Sequence, residues 1–208
     1  MVGPQKEEKG NKRVTGTKTF PIPLASREIK ENIILNTNKE SKPSKEEIIN
    51  QALNHHAKGN LIEAEKYYKN CIKRGFNNHK IYCNYGVILI AKGKLKEAEL
   101  MTRKAISIKN DYPYAHYNLG NILKEVGKLK EAEKSTKKAL EFNDNLFQAH
   151  LNLGSILREL GKLKEAEKST RKAIKLNPNL EEAHSTLGII LKALGKSKEA
   201  EKSIQKAI

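Results

Sequence analysis

Apolar and polar positions alternate along this chain at helical spacing, in blocks that repeat. Between 113 and 146, His116, Leu119, Gly120 and Leu123 mark one stripe; after Gly127 a second stripe runs through Leu129, Ala132, Thr136, Ala139 and Leu140. Steps of three and four residues keep side chains on one face of an α-helix. The block therefore predicts two antiparallel amphipathic helices that reverse at the glycine. It returns as GNLIEAE at 59–65, GKLKEAE at 93–99, 127–133 and 161–167, and GKSKEAE at 195–201, a period of 34 residues. A strict period of that length marks a stacked array, in which each small unit buries its apolar face only against its neighbours. The predicted fold is all-α, an α-solenoid of five helix-turn-helix units at 45–78, 79–112, 113–146, 147–180 and a shortened 181–208.

Two sets of glycines support that reading. Gly59, Gly93, Gly127, Gly161 and Gly195 each follow the last periodic residue of a first helix, where a left-handed cap excludes most side chains with a Cβ. Gly86, Gly120, Gly154 and Gly188, with Ala52 in the first unit, fall inside the first helices. Glycine there costs roughly 1 kcal/mol relative to alanine, which close approach of the paired helices would offset. The array opens at Ser44 with Glu47 three residues on and Pro43 just before, the pattern of a capping box at a helix start.

The residues resemble the tetratricopeptide repeat family over 45–208. The leucine-glycine pair appears as Leu119-Gly120, Leu153-Gly154 and Leu187-Gly188; alanines follow the turn at Ala64, Ala98, Ala132, Ala166 and Ala200, and recur at Ala105, Ala139, Ala173 and Ala207. The resemblance implies a right-handed superhelix. Its early aromatic is Tyr82 in the second unit but His116, His150 and His184 afterwards, and its closing proline survives only as Pro178. The leader TFPIPLASREIKENIILNTN followed by the array is similar to cyanobacterial tetratricopeptide proteins, some of which continue into a sulfotransferase or glycosyltransferase domain. That likeness implies an alternative role, the substrate-docking arm of such a transferase, with catalysis beyond Ile208.

Residues 1–44 form a basic leader whose first half is polar and aperiodic, the composition of a disordered segment. Phe20, Ile22, Leu24, Ile29, Ile33, Ile34 and Leu35 follow, and predict that 20–43 dock on the first unit. The leader lacks a secretory h-region, and no stretch nears the roughly 18 apolar residues of a membrane span. A soluble, cytoplasmic protein is expected.

The formal charge of +16 raises nucleic acid as a partner, so its distribution matters. It is spread over leader and units alike. The second helices, KEAEKSTKKAL and KEAEKSTRKAI, place Glu and Lys three and four apart, a mutually paired outer face. Aromatics are 5%, too few for base-stacking platforms, which leaves RNA a minor alternative. Cys71 and Cys83 are too few for a disulfide framework or a zinc site; Cys71 sits in an alanine slot and reads as packing. His116, His150 and His184 occupy equivalent places in separate hairpins and cannot converge on an ion at roughly 2 Å; one packing hydrogen bond each is expected. His55 and His56 diverge by about 100°. No nucleophile-base pair, phosphate loop or paired carboxylates appear, so no enzyme activity and no cofactor are expected.

What remains is a binding surface. Six residues into each unit lie Asn50, Asn84, Asn118 and Asn152, with Thr186 ending the row. At about 100° per residue they fall roughly 150° from the core stripe, and stacked units would align them along the concave wall. Asparagine is only a middling helix former, but its amide offers a donor and an acceptor to an extended peptide. The competing reading is a hydrogen bond to a neighbouring helix. The row resembles the asparagine ladder in the repeat region of protein O-linked N-acetylglucosamine transferases, which implies capture of extended protein segments. Tyr114, Tyr117, Asn121 and Lys124, then Leu151, Ser155 and Arg158, then Ser185 and Lys192 complete a wall with a basic edge. The carboxylate clamp of chaperone-binding tetratricopeptide proteins is absent, because Tyr117, Glu182 and Thr186 stand where its cations belong. At the far end Leu187, Leu191, Leu194 and Ile204 are expected to be partly uncovered, inviting either continuation of the polypeptide or self-association.

Overall fold

The structure, a computed structural model, describes residues 43–207. The expected docking of 20–43 on the first unit therefore lies outside the described residues. Within them are ten helices and no strand: α1 (Lys45–Ala57), α2 (Leu61–Lys73), α3 (His79–Ala91), α4 (Leu95–Ile108), α5 (Pro113–Glu125), α6 (Leu129–Phe142), α7 (Phe147–Glu159), α8 (Leu163–Leu176), α9 (Glu181–Ala193) and α10 (Ser197–Gln205). Each odd helix pairs with the even helix after it, and the even helix then packs on the next odd one.

The turn inside each hairpin is set at its glycine. At the end of α5, Gly127 has φ +77°, its N–H bonds to the Lys124 carbonyl at 2.9 Å, and the Lys128 N–H reaches back to Leu123 at 2.8 Å. That bond pair closes the helix and satisfies carbonyls that would otherwise be orphaned. Gly75 adopts the same conformation, φ +73°, and closes α2, a turn outside the 34-residue glycine series. At the entry to α1, the Glu47 N–H donates to Ser44 Oγ at 3.2 Å and the Ser44 N–H to Glu47 at 2.7 Å, the reciprocal cap expected.

The core is a chain of small clusters. Ile122 reaches back to the Ile88 and Leu89 cluster, Ile156 packs on Leu119, Leu123 and Ala132, and Ile190 on Leu153, Leu157 and Ala166. The backbones of neighbouring odd helices approach closely (α1 with α3, α3 with α5, α5 with α7, α7 with α9), whereas among the described residues no two even helices have Cα atoms within 8 Å and they meet through side chains, as Arg171 of α8 does with Glu199 of α10 at 2.8 Å. Closer spacing on the odd side curves the stack, so the odd helices form the concave wall of the superhelix and the even helices its outer wall.

The even helices carry their charge outward in pairs. Arg103 bonds Glu99, Lys137 bonds Glu133, and Arg171 bonds Glu167, each four residues apart. Other pairs tie one unit to the next: Lys92 to Glu65, Lys162 to Glu133 at 2.8 Å and Lys196 to Glu167 at 2.9 Å. The lysines hold these three carboxyls below the usual carboxylate range.

At the far end one expectation is corrected. Leu187 and Leu191 are 4% and 1% exposed, because they pack with Ile174 of α8 and Ala200 of α10. Leu194 is half-buried, and the exposed apolar side chains there are Ile189 and Ile204.

Candidate functional site

Asn84, Asn118 and Asn152 do lie at equivalent places, but they are buried and their N–H groups point inward. Asn84 Nδ2 donates to Tyr68 Oη in α2 at 3.2 Å, Asn152 Nδ2 to Thr136 Oγ1 in α6 at 3.3 Å, and Asn118 Nδ2 to Cys83 Sγ in α3 at 3.3 Å. Each bond runs to the preceding unit, so one of the two N–H donors of each carboxamide is used within the array. Asn84 Oδ1 is also shut off from the surface without a partner, as is the hydroxyl of Thr102. Asn50, in α1, is exposed, and Thr186 is half-buried.

The wall beside this row contains a depression. It is lined by Tyr117, Asn121 and Lys124 from α5, Gln148, Leu151, Asn152 and Ser155 from α7, and Leu180 and Glu182 at the start of α9. Tyr117 and Asn121 are 7% and 4% exposed. Burial raises the Tyr117 hydroxyl's pKa, opposed by its hydrogen bond with Asn121. Of the residues singled out in sequence, Tyr117, Asn121, Lys124 and Asn152 meet here; Tyr114 instead packs with Tyr112 at 5.7 Å between ring centroids. Arg158 and Lys192 continue the Lys124 position along α7 and α9, with Arg158 half-buried and Lys192 exposed.

A larger cavity of about 380 Å³ opens between α8, α9 and α10 over Ile174, Leu187 and Leu191, rimmed by Arg171, Lys175, Lys202 and Lys206. One unit earlier the equivalent leucines, Leu153 and Leu157, are covered by Ile190. This cavity is thus the socket of the stacking contact itself, and the wall depression is the better candidate for a ligand.

The histidines are structural. The Nε2–H groups of His116, His150 and His184 donate to carbonyls six residues earlier, those of Asn110, Asp144 and Pro178, at 2.7, 2.9 and 2.8 Å. Their own carbonyls accept from Ser135, Ser169 and Ser203 at 3.0, 3.1 and 3.0 Å. Each histidine thus stitches loop, odd helix and even helix together. His56 is buried and its pKa is lowered by desolvation. Cys71 and Cys83 are buried free thiols, and burial lifts Cys83 to about 12.

Models of the tetratricopeptide repeat match residues 79–112, 113–146, 147–180 and 181–208. The chain belongs to the tetratricopeptide repeat family. No curated protein matches its sequence. Among solved structures, a crystal structure of the tetratricopeptide protein YrrB, described as having an unusual peptide-binding site, is 24% identical with a TM-score of 0.64, over 79% of this chain and 85% of that one. A crystal structure of MamA is 22% identical with a TM-score of 0.65, over 75% of this chain and 91% of that one. MamA from Desulfovibrio magneticus RS-1 is 20% identical with a TM-score of 0.68, over 78% and 92%. At these identities the likeness is one of fold.

As a tetratricopeptide array, the chain pairs each mid-helix glycine with a side chain of the opposing even helix: Thr102, Thr136, Thr170 and Ile204 stand against Gly86, Gly120, Gly154 and Gly188. Position 68 of the same series is Tyr68, the partner of Asn84. The hydroxyls that receive Asn84 and Asn152 were thus present in the repeat, one unit before each, and sequence reading missed them; between them Asn118 turns to the Cys83 thiol and the Thr102 hydroxyl is left without a partner. Among the described residues no helix is long and apolar enough to cross a membrane.

Proposed function

We propose that this chain is a non-catalytic module that holds an extended segment of another protein along its concave wall. Membership of the tetratricopeptide family and the shared architecture with MamA and YrrB support an interaction module. The observation that carries the finer reading is the depression between α5, α7 and α9, where aromatic, aliphatic and amide side chains from three units line one surface. YrrB's described peptide site lends support from a similar array.

In this reading Tyr117 and Leu151 supply apolar contact, and the carbonyl oxygens of Asn121 and Asn152 accept N–H groups of the bound backbone. Asn84 and Asn118 contribute by holding adjacent units in place. The test is a selection of displayed random peptides against the intact chain, followed by affinity measurement on Tyr117→Ala, Leu151→Ala and Asn121→Ala variants. The expected result is selected peptides that lose at least tenfold in affinity on each change, about 1.4 kcal/mol. Peptides that ignore all three changes but are lost on Lys134→Glu in α6 would place binding on the outer wall and refute the reading.

A further inference from the structure

The concave wall carries three cations in line. Twelve residues into successive units stand Lys124 in α5, Arg158 in α7 and Lys192 in α9, where α3 has Ile90. On the outer wall Lys66, Lys92, Lys137, Lys162, Arg171, Lys172 and Lys196 each hold a carboxylate. On the inner wall, Arg158 has Glu159 only at 3.9 Å, and Lys124 and Lys192 enter no ion pair among the described residues. The opposite rim of the depression bears Glu182.

We propose that the groove selects an acidic segment in the polyproline-II conformation, with a carboxylate at every third residue. The proposal rests on the groove reading above and names its ligand class. Adjacent odd helices are in direct contact, which spaces packed helix axes by about 8–10 Å. A polyproline-II helix has three residues per turn and rises about 9 Å per turn, so each unit of the array advances by one turn of the ligand. A β-strand repeats its faces every two residues, about 7 Å, and drifts out of step. Carboxylates at i, i+3 and i+6 therefore meet Lys124, Arg158 and Lys192 in succession. The other two residues of each turn face Tyr117, Leu151 and Ser155, a surface suited to proline and aliphatic side chains. Glu182 repels carboxylates from its rim, so only one rotation of the ligand is accommodated.

The probes are fluorescein-labelled peptides of about four turns: repeats of Glu-Pro-Leu, the same with Gln or Lys for Glu, and a peptide of identical composition with its glutamates in one block. Fluorescence anisotropy on the intact chain should show Glu-Pro-Leu binding about tenfold tighter than Gln-Pro-Leu, since exposed ion pairs each contribute little. The advantage should shrink with added salt. It should vanish in the triple variant Lys124→Gln, Arg158→Gln, Lys192→Gln, whose circular dichroism is unchanged. The blocked peptide should bind more weakly than the spaced one. Equal binding of the Glu and Gln repeats, both lost in Tyr117→Ala, would overturn the charge proposal and leave the groove reading standing. Equal binding of blocked and spaced peptides would overturn the spacing. No binding of any probe would overturn the proposal alone, because the displayed-peptide selection tests the groove independently. A single-stranded RNA of equal charge that binds more tightly than Glu-Pro-Leu would overturn it in favour of phosphate.

Discussion

Gly154→Ala tests how closely the hairpins are packed. A Cβ at Gly154, within α7, would stand 2.2 Å from Thr170 Oγ1 and 3.4 Å from both Thr170 Cβ and the Ala166 carbonyl. Thr170 is fully buried and its hydroxyl donates to Ala166 at 2.8 Å. A β-branched side chain on a helix has little rotamer freedom, so the clash is relieved only by swinging Thr170 or parting α7 from α8. Overpacking of this kind costs about 1–3 kcal/mol, against about 1 kcal/mol regained because alanine is the better helix former. The net expectation is a loss of about 1 kcal/mol. Thr170→Ala alone leaves a small void and destabilises modestly. Together the two changes should be far less costly than their sum, with a favourable interaction energy of about 1–2 kcal/mol. Urea unfolding followed by far-UV circular dichroism measures this, fitted with nearest-neighbour coupling because stacked repeats need not unfold in one step. Gly86→Ala, whose Cβ would stand 2.7 Å from Thr102 Oγ1 and 3.5 Å from the Ala98 carbonyl, should be milder. A neutral or stabilising Gly154→Ala, or additive costs in the pair, would refute the close-packing argument.

Asn152→Ala removes the bond to Thr136 across the α6–α7 interface and should cost about 1 kcal/mol in urea unfolding; an unchanged midpoint would show that the bond is not stabilising. Glu65, Glu133 and Glu167 have carboxyl pKa values lowered first by Lys92, Lys137 and Lys196 respectively. Because the folded pKa lies below the unfolded value of 4.5, their stabilisation is present above that value and is lost as pH falls through the lowered one. Melting temperature should therefore drop on acidification below about pH 4.5, less steeply in Glu133→Gln; a parallel acid profile in that variant would exclude its part. Cys83, fully buried with its pKa near 12, should be inert to thiol reagents in the native state and react fast in denaturant. Rapid native labelling would mean that the α3–α5 contact opens readily.

The 34-residue period, the glycine turns and the apolar stripes were enough to predict ten helices in five hairpins, because each of these is a local requirement that a residue meets or fails wherever the chain goes. The Ser44 cap and the outward pairing of Glu with Lys on α6 and with Arg on α8 were legible for the same reason. The direction taken by the carboxamides of Asn84, Asn118 and Asn152 was not. Their angle on the helix lies between wall and interior, and the outcome depends on whether a hydroxyl or thiol from the preceding unit stands within reach: Tyr68, Cys83 and Thr136 do. Nor did the stripe pattern reveal that Leu187 and Leu191 would be enclosed by Ile174 and Ala200, or that Tyr117, Leu151 and Glu182 would share one depression. Those facts belong to distances between units, which are set by how side chains from different hairpins fill space together, and only the assembled stack determines them.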